Sequence, residues 1–495
     1  MKKNLLLALV AIAVSFQASA TISQIRWGTT KDPLNGLTIT WSNTGTKDSI
    51  KWGYTTSYEK GKFVSTSRTG YTSGTLFFKY TFPTVTGSST IYYSLYDSKA
   101  KTWGSQMTFK TAPPASANSF SFCAMGDCRD IPSELTKVSN LGSAQNPSFC
   151  LFNGDLTVDG NSASEYNTFF TSAANYLQNN LNLQAEGNHD YADESMFSNL
   201  WDLPTTHSQN LYYAVTYANT IFITINANTF YSNGSDATQL AWLDSTLAAA
   251  QANKNITWKV ISLHYAFFTD GEHNGDMDAF RSTIWAAFDK YGVDLVLNGH
   301  DHDYQRTYPV NLSVSSTAPV AKYGSGTGEG RMEITFGGAG ADLYTKGSSN
   351  DAWALINFIS TNGYNYITVN GCKMHVISYN DANSIIDSAT LDKTGTSECN
   401  SPTGIETSAE PNNLITVYPN PGNGSFTLHY SSTVTGDAII QIVDMTGKII
   451  SSEKINKAEQ ELNYHFDVSK YAAGIYNISV TVGGHRDSTP FELTK

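Results

Sequence analysis

Hydrophobic and polar positions change rhythm three times along this chain. From residue 21 to about 113 they alternate in short runs. Leu37-Thr38-Ile39-Thr40-Trp41 and Lys51-Trp52-Gly53-Tyr54 keep a period of two, and Thr90-Ile91-Tyr92-Tyr93-Ser94-Leu95 is rich in β-branched and aromatic residues. Turn residues punctuate these runs, which is the pattern of a small antiparallel β-sandwich. Thr111-Ala112-Pro113-Pro114 marks its end. Beyond it, over residues 114–393, apolar runs alternate with helical stretches. Residues 120–125, 148–152, 181–185, 220–225, 258–263 and 293–297 read as strands, and 133–141, 163–177, 237–252 and 278–291 as helices. That alternation predicts an α/β domain with at least partly parallel sheets. Its end is β-rich, with strands expected at 332–336, 353–359, 364–369 and 372–378. Residues 394–413, rich in Ser, Thr, Asn, Pro and Glu, predict a flexible linker. From 414 to 495 strand alternation returns, at 415–418, 426–430, 438–444, 462–468 and 475–482. The expected fold class is multi-domain: a β-sandwich, a central α/β domain and a second β-sandwich.

Composition narrows the setting. A chain of 495 residues carries two to four domains on a soft prior. Its net charge of −12 argues against nucleic acid or an anionic membrane as the main partner. Met1-Lys2-Lys3, an apolar core from Leu5 to Val14 and the small residues Ala18-Ser19-Ala20 read as a secretory signal peptide over residues 1–20. No later run reaches the roughly 18 apolar residues of a transmembrane helix. An exported, soluble protein is expected. The five cysteines leave at least one unpaired, and Cys372 with Cys399 is the first expectation for a disulfide.

Candidate chemistry lies where apolar strands end. Gly126-Asp127, Gly154-Asp155, Gly187-Asn188-His189, Leu263-His264 and Gly299-His300-Asp301-His302 each follow such a strand. Loops at the carboxyl ends of parallel strands converge on one crevice. Glycine lets the backbone turn sharply beside a bound ion. Taken singly, a Gly-Asp is a turn and a lone His is a packed or surface residue. Taken together, hard oxygen ligands and three imidazoles suit first-row divalent or trivalent metals, two ions better than one. His300 and His302 either share one side, as i and i+2 on a strand, or splay towards two neighbouring ions.

The order Gly-Asp, Gly-Asp, Gly-Asn-His-Asp, His, Gly-His-x-His resembles the calcineurin-like metallophosphoesterase superfamily, closest to its purple acid phosphatase branch. Gly299-His-Asp-His-Asp-Tyr-Gln-Arg306 is similar to that branch's Gly-His-x-His-x-Tyr-Glu-Arg. Gln239-Leu-Ala-Trp-Leu243 and Phe336-Gly-Gly-Ala-Gly340 also fit. The resemblance spans roughly residues 22 to 390. It implies a fibronectin-like domain over 21–113 and a catalytic sandwich of two sheets flanked by helices. It also implies two metal ions drawn from iron, zinc and manganese. Asp155 would bridge them, Asp127 and His302 would hold the first, and Asn188, His264 and His300 the second. His189 would face the substrate and give a proton to the leaving group. His273 would contact phosphate, or else be a plain loop histidine.

Two departures stand out. Gly126-Asp-Cys-Arg129 replaces Gly-Asp-x-Gly, and Val158 stands where the branch carries a tyrosinate ligand. Arg129 is then either a phosphate contact, since its planar fork suits phosphate oxygens, or a surface ion pair. Asp130 and Asp159 are nearby candidates to complete the first ion. The module with Tyr418-Pro-Asn-Pro421, Asp444-Met-Thr-Gly447 and Gly474-Ile-Tyr476 is similar to type A sorting domains of the type IX secretion system. It implies the secretion machinery as partner and a secreted or cell-surface location.

The leading functional expectation is a dimetal acid phosphatase-like enzyme that hydrolyses phosphomonoesters by metal-hydroxide attack and scavenges phosphate. The alternatives are a phosphodiesterase or nucleotidase on the same site, and a non-catalytic surface protein with a degenerate metal site.

Overall fold

Three apolar runs, Ser119–Met125, Phe149–Asn153 and Leu181–Ala185, pair in parallel and in register, with Cys123 opposite Cys150 and Leu151 opposite Leu183. The computed structural model describes residues 22–70, 74–204, 211–399, 414–420, 422–432, 434–444, 449–482 and 485–494. The expected signal peptide and residues 400–413 of the expected linker lie outside them. Two compact units emerge, Met1–Asn400 and Ser401–Lys495.

In the first unit, two sheets face each other. The second contains Thr220–Thr224, Trp258–Ser262, Leu295–Asn298 and Met332–Phe336 in parallel, with antiparallel strands at both edges. Phe222 of this sheet sets its ring edge-on against Phe122 and Phe149 of the other, at 5.0 and 4.9 Å. Alternate residues of the first sheet turn the other way, where Cys123 Sγ meets the Gly142 carbonyl of helix Pro132–Ala144. Both faces are covered, so these strands are apolar throughout rather than alternating.

The helices form where the sequence supplies starts and faces. Pro132 opens the first, a position where its missing N–H costs nothing, and Leu135, Val138, Ser139 and Gly142 give it one buried stripe. Asp236 caps Ala237–Ala252 by accepting the Gln239 N–H at 2.9 Å, and Gln239, Leu243, Leu247 and Ala250 face inward. The stretch expected as one helix over 163–177 is two, Ala163–Ser172 and Ala174–Asn179, because Ala173 leaves the helical region. The helix expected over 278–291 becomes a 3₁₀ turn, a π turn and a short α-helix, Ala286–Tyr291. Here Arg281 reaches back to the Phe267 carbonyl, which holds the turn open.

The N-terminal strands form a β-sandwich, and one of its sheets continues into the α/β layer. Ser23–Thr29 pairs in parallel with Leu181–Ala185 through Trp27 and Leu181, and antiparallel with Leu37–Asn43. The result is a single ten-stranded sheet. Asp202 fastens the junction, accepting Lys79 Nζ at 2.7 Å, Thr40 Oγ1 at 2.7 Å and Arg68 Nη1 at 3.3 Å. Cys372 and Cys399 form a disulfide, and Cys123, Cys128 and Cys150 are free and buried.

The second unit is a sandwich of a three-stranded and a four-stranded antiparallel sheet, closed over Phe426, Leu428, Ile440, Ile478 and Phe491. Among the described residues no helix is long and apolar enough to cross a membrane.

Candidate metal centre

Five parallel strands of the first unit end at one rim, and Asp127, Asp155, Asn188, His264, His300 and His302 each sit within four residues of such an end. Asp127, Asp155 and His300 have φ of +57°, +54° and +73°, a region that residues other than glycine seldom adopt. Each turn is tied down by its neighbour. Asp127 N–H donates to the Gly154 carbonyl at 2.9 Å, and Cys128 N–H to that of Asp155 at 2.7 Å. Close approach fixes the glycines: a Cβ on Gly187 would lie 2.1 Å from Asp155 Oδ1, and one on Gly299 2.3 Å from Asp127 Oδ2. Strain of this kind persists only where the surroundings over-determine it.

His264 organises one half of the site. It is fully buried, and its Nδ1–H donates to the Asn153 carbonyl at 2.7 Å, which leaves Nε2 facing inward. Around that nitrogen lie Asn188 Oδ1 at 2.9 Å, His300 Nδ1 at 3.2 Å and Asp155 Oδ1 at 3.3 Å. Bonds of about 2.0–2.1 Å to a single ion separate tetrahedral ligands by about 3.3 Å and octahedral ones by about 3.0 Å. These three separations from His264 Nε2 match shared ligation of one cation. Burial pushes the His300 ring down to about 4, so it is neutral and free to ligate at ordinary pH. Its other nitrogen, Nε2, lies 3.1 Å from Asp276 Oδ2.

The other half is arranged differently. Asp127 Oδ2 accepts the His300 N–H at 2.8 Å, while Oδ1 is buried without a hydrogen-bond partner, 3.4 Å from His302 Nε2. Arg129 stands among these groups. Its Nε donates to Asp155 Oδ2 at 3.1 Å, its Nη1 to Asp130 at 3.0 Å, and its Nη2 meets His302 Nε2 at 3.0 Å. His302 Nδ1 lies 2.6 Å from the Asp342 carbonyl and donates to it. Burial lowers the His302 pKa, but Asp127 and the Asp342 carbonyl raise it overall. A protonated Nε2 would nevertheless set N–H against guanidinium N–H, so the neutral ring with its lone pair towards Arg129 matches the distances. As the side chains stand, Asp127, Asp155 and His302 do not fit an ion, because the guanidinium holds two of their ligand atoms.

Asp155 belongs to both halves, with Oδ1 towards His264 and Oδ2 towards Arg129. Burial opposes its charge, yet His264, His189 and Arg129 keep its carboxyl below the ordinary value. His300 and His302 splay to the two halves, the second of the two arrangements left open by their spacing. His189 is partly exposed. Its Nδ1 donates to the Val158 carbonyl at 2.6 Å, and Nε2 lies 3.9 Å from Asp155 Oδ2. The Val158 side chain is itself exposed. His273 stacks on His300 with ring centres 3.7 Å apart. Asp159 stays apart, its carboxylate accepting the Asn161 N–H in an exposed turn.

Sequence reasoning passed over four residues. Asp276 forms a cation-capable group with His273 and His300, just as Asp127, Asp155 and His264 form one, all ligand atoms lying within 4.8 Å of one another. Its spacing from His273, three residues, was the available signal. Asp301 accepts the His273 N–H at 3.1 Å and the Thr269 hydroxyl, fastening that loop. Asp190 accepts the N–H groups of Leu156 at 3.2 Å and Gly187 at 3.1 Å, tying two ligand loops together. Tyr344 stacks on His302 at 4.0 Å, a contact that no local pattern announces.

Comparison with known proteins agrees with this fold. Residues 120–304 match the family described as calcineurin-like phosphoesterase, and residues 416–489 the secretion system C-terminal sorting domain. An uncharacterized protein of Mycobacterium tuberculosis is 33% identical over 96 residues, 19% of this chain and 18% of that one. Purple acid phosphatase 22 of Arabidopsis thaliana is 26% identical over 215 residues, 41% of this chain and 48% of that one. The matches thus span less than half of either relative. The solved structure of purple acid phosphatase PPD1 from yellow lupin (Lupinus luteus) seeds superposes with a TM-score of 0.62 at 16% identity, covering 75% of this chain and 74% of that one. From strand order, site and these matches together, the chain carries a calcineurin-like phosphoesterase domain followed by a secretion-system sorting domain.

Proposed function

We propose that this protein is an exported, metal-dependent phosphoric ester hydrolase of the acid phosphatase type, acting on phosphomonoesters outside the cell. The observation that carries the reading is the convergence of Asn188 Oδ1, His300 Nδ1 and Asp155 Oδ1 on His264 Nε2. These four groups would hold the cation, from the set iron, zinc and manganese. When bound, such an ion supplies positive charge against phosphate oxygens and makes water a stronger nucleophile.

The chain's own residues do the rest. Arg129 offsets charge on the phosphate, since its planar guanidinium fork suits phosphate oxygens. His189, fixed by the Val158 carbonyl at Nδ1, presents Nε2 to the leaving oxygen and donates a proton when the ring is charged. That matters because an alkoxide departs poorly as a free anion. His273, at the mouth beside Asp276, offers a further contact for the phosphate. Residues 21–113 serve as a fibronectin-like domain, 114–393 as the catalytic domain, and 414–495 as the export signal read by a type IX secretion machinery.

The test compares p-nitrophenyl phosphate with bis-p-nitrophenyl phosphate on purified, metal-loaded protein. Faster turnover of the monoester supports the reading, and faster turnover of the diester supports a phosphodiesterase. Absence of both activities supports a non-catalytic surface protein, which the seat of Arg129 among ligand atoms also favours.

A further inference from the structure

The departure at Arg129 is a feature of the site in its own right. The turn Gly126-Asp127-Cys128-Arg129-Asp130 is bound on both sides. Asp127 and Cys128 donate to Gly154 and Asp155, while Ile131 N–H reaches the Gly340 carbonyl at 2.8 Å. Asp127 and Asp130 adopt φ of +57° and +67°, so the backbone bends twice within four residues and delivers the arginine between them. The side chain is only 12% exposed.

What it meets is chemically selective. Asp155 Oδ2 is the carboxylate oxygen that the His264 group leaves over. His302 Nε2 is the lone pair left after Nδ1–H donates to Asp342. Asp127 Oδ1, buried and without a hydrogen bond, adds a second negative charge nearby. A cation bound here needs these same atoms. Arginine stays protonated at every accessible pH and has a fork of donors, so its single positive charge offsets one of the two carboxylate charges without requiring an ion. Val158 itself brings no ligand here: its backbone carbonyl is committed to His189 and its side chain is exposed.

We propose that the Arg129 guanidinium is the resident cation of the first position, so that the loaded protein takes one metal ion, at Asp155, Asn188, His264 and His300, and not two. The ion count does not depend on whether the site is catalytic. The activity expected of the one-ion protein does rest on the hydrolase reading above.

The experiment measures metal per chain on full-length protein saturated with Mn²⁺ and desalted, alongside its electron paramagnetic resonance spectrum. Wild type should hold one ion with a mononuclear signal. His264→Ala should hold none, and His302→Ala should keep one. Arg129→Ala should take up a second ion and show exchange coupling between the pair. Two ions in the wild type, or loss of the ion in His302→Ala, overturns the proposal even if the arginine variant fails to fold. One bound ion without turnover of p-nitrophenyl phosphate leaves the count standing and contradicts the hydrolase reading instead. Turnover with two bound ions does the reverse.

Discussion

Asp276 Oδ2 lies 3.1 Å from His300 Nε2, while His300 Nδ1 turns to His264. A carboxylate on the far nitrogen of a ligating imidazole fixes its tautomer and orientation and makes it a better donor. Burial works against charge on Asp276, but His273 and His300 hold its carboxyl well below the ordinary range. Replacing it, Asp276→Asn, keeps the volume and removes the charge. Metal affinity should fall about 10- to 100-fold, and because the depressed carboxyl also stabilises the metal-free fold, the melting temperature of the metal-free protein should fall as well. Competition against a chromogenic chelator measures it, and unaltered affinity would show that Asp276 does not orient the ligand.

Asp155→Asn tests the shared carboxylate. One oxygen faces the His264 group and the other Arg129, so the change weakens the cation site and frees the guanidinium together. Phosphomonoester turnover should drop by at least about 10³-fold, the scale of losing a main electrostatic contact. Steady-state rates on p-nitrophenyl phosphate, with circular dichroism as a folding control, decide the point.

His189 is assigned to the leaving oxygen, which makes its effect depend on the leaving group. His189→Ala should slow an alkyl phosphate by about 10²–10⁴-fold. A p-nitrophenyl ester, whose phenolate leaves without a proton, should lose much less. Equal losses on both substrates would place His189 elsewhere in the reaction.

Asp202 governs stability away from the site. Burial alone raises its carboxyl, and Lys79 and Arg68 outweigh that and hold it at about 2, below an unfolded value of about 4. A depressed folded pKa stabilises above the unfolded value, so this contribution is complete above pH 4 and fades between about 4 and 2. Lys79 and Arg68 are partly solvated, which reduces the worth of the cluster. Asp202→Ala should cost about 1–3 kcal/mol near pH 7 and much less near pH 2. Denaturant melts at the two pH values measure both.

The legible parts of the fold are those where local pattern and packing agree. Leu181–Ala185 and Ala237–Ala252 fall where their apolar runs and flanking residues place them. Tyr304–Thr307 was not readable as a strand, because Gln305 and Arg306 look exposed. They are buried through distant partners, the Asp270 N–H on Gln305 and Asp387 on Arg306. The junction of Trp27 with Leu181, which merges two expected domains into one sheet, joins residues far apart in sequence. At the site, the candidate ligands were picked out because they cluster after apolar strands, most of them close to a glycine. Asp276 sits in an irregular turn, and its role follows only from where that turn folds back. The sequence also announced that Arg129 was unusual, but its placement against His302 needed the third dimension.

The central claim is that His264, His300, Asn188 and Asp155 hold a cation on which phosphomonoester hydrolysis depends. The most direct test strips the purified protein with a chelator, returns Zn²⁺ or Mn²⁺ stepwise, and follows bound metal and p-nitrophenyl phosphate turnover in the same samples. Turnover should vanish on stripping, rise in proportion to bound ion and stay absent in His264→Ala. Undiminished turnover in the stripped protein, or full activity and metal content in His264→Ala, would contradict the account.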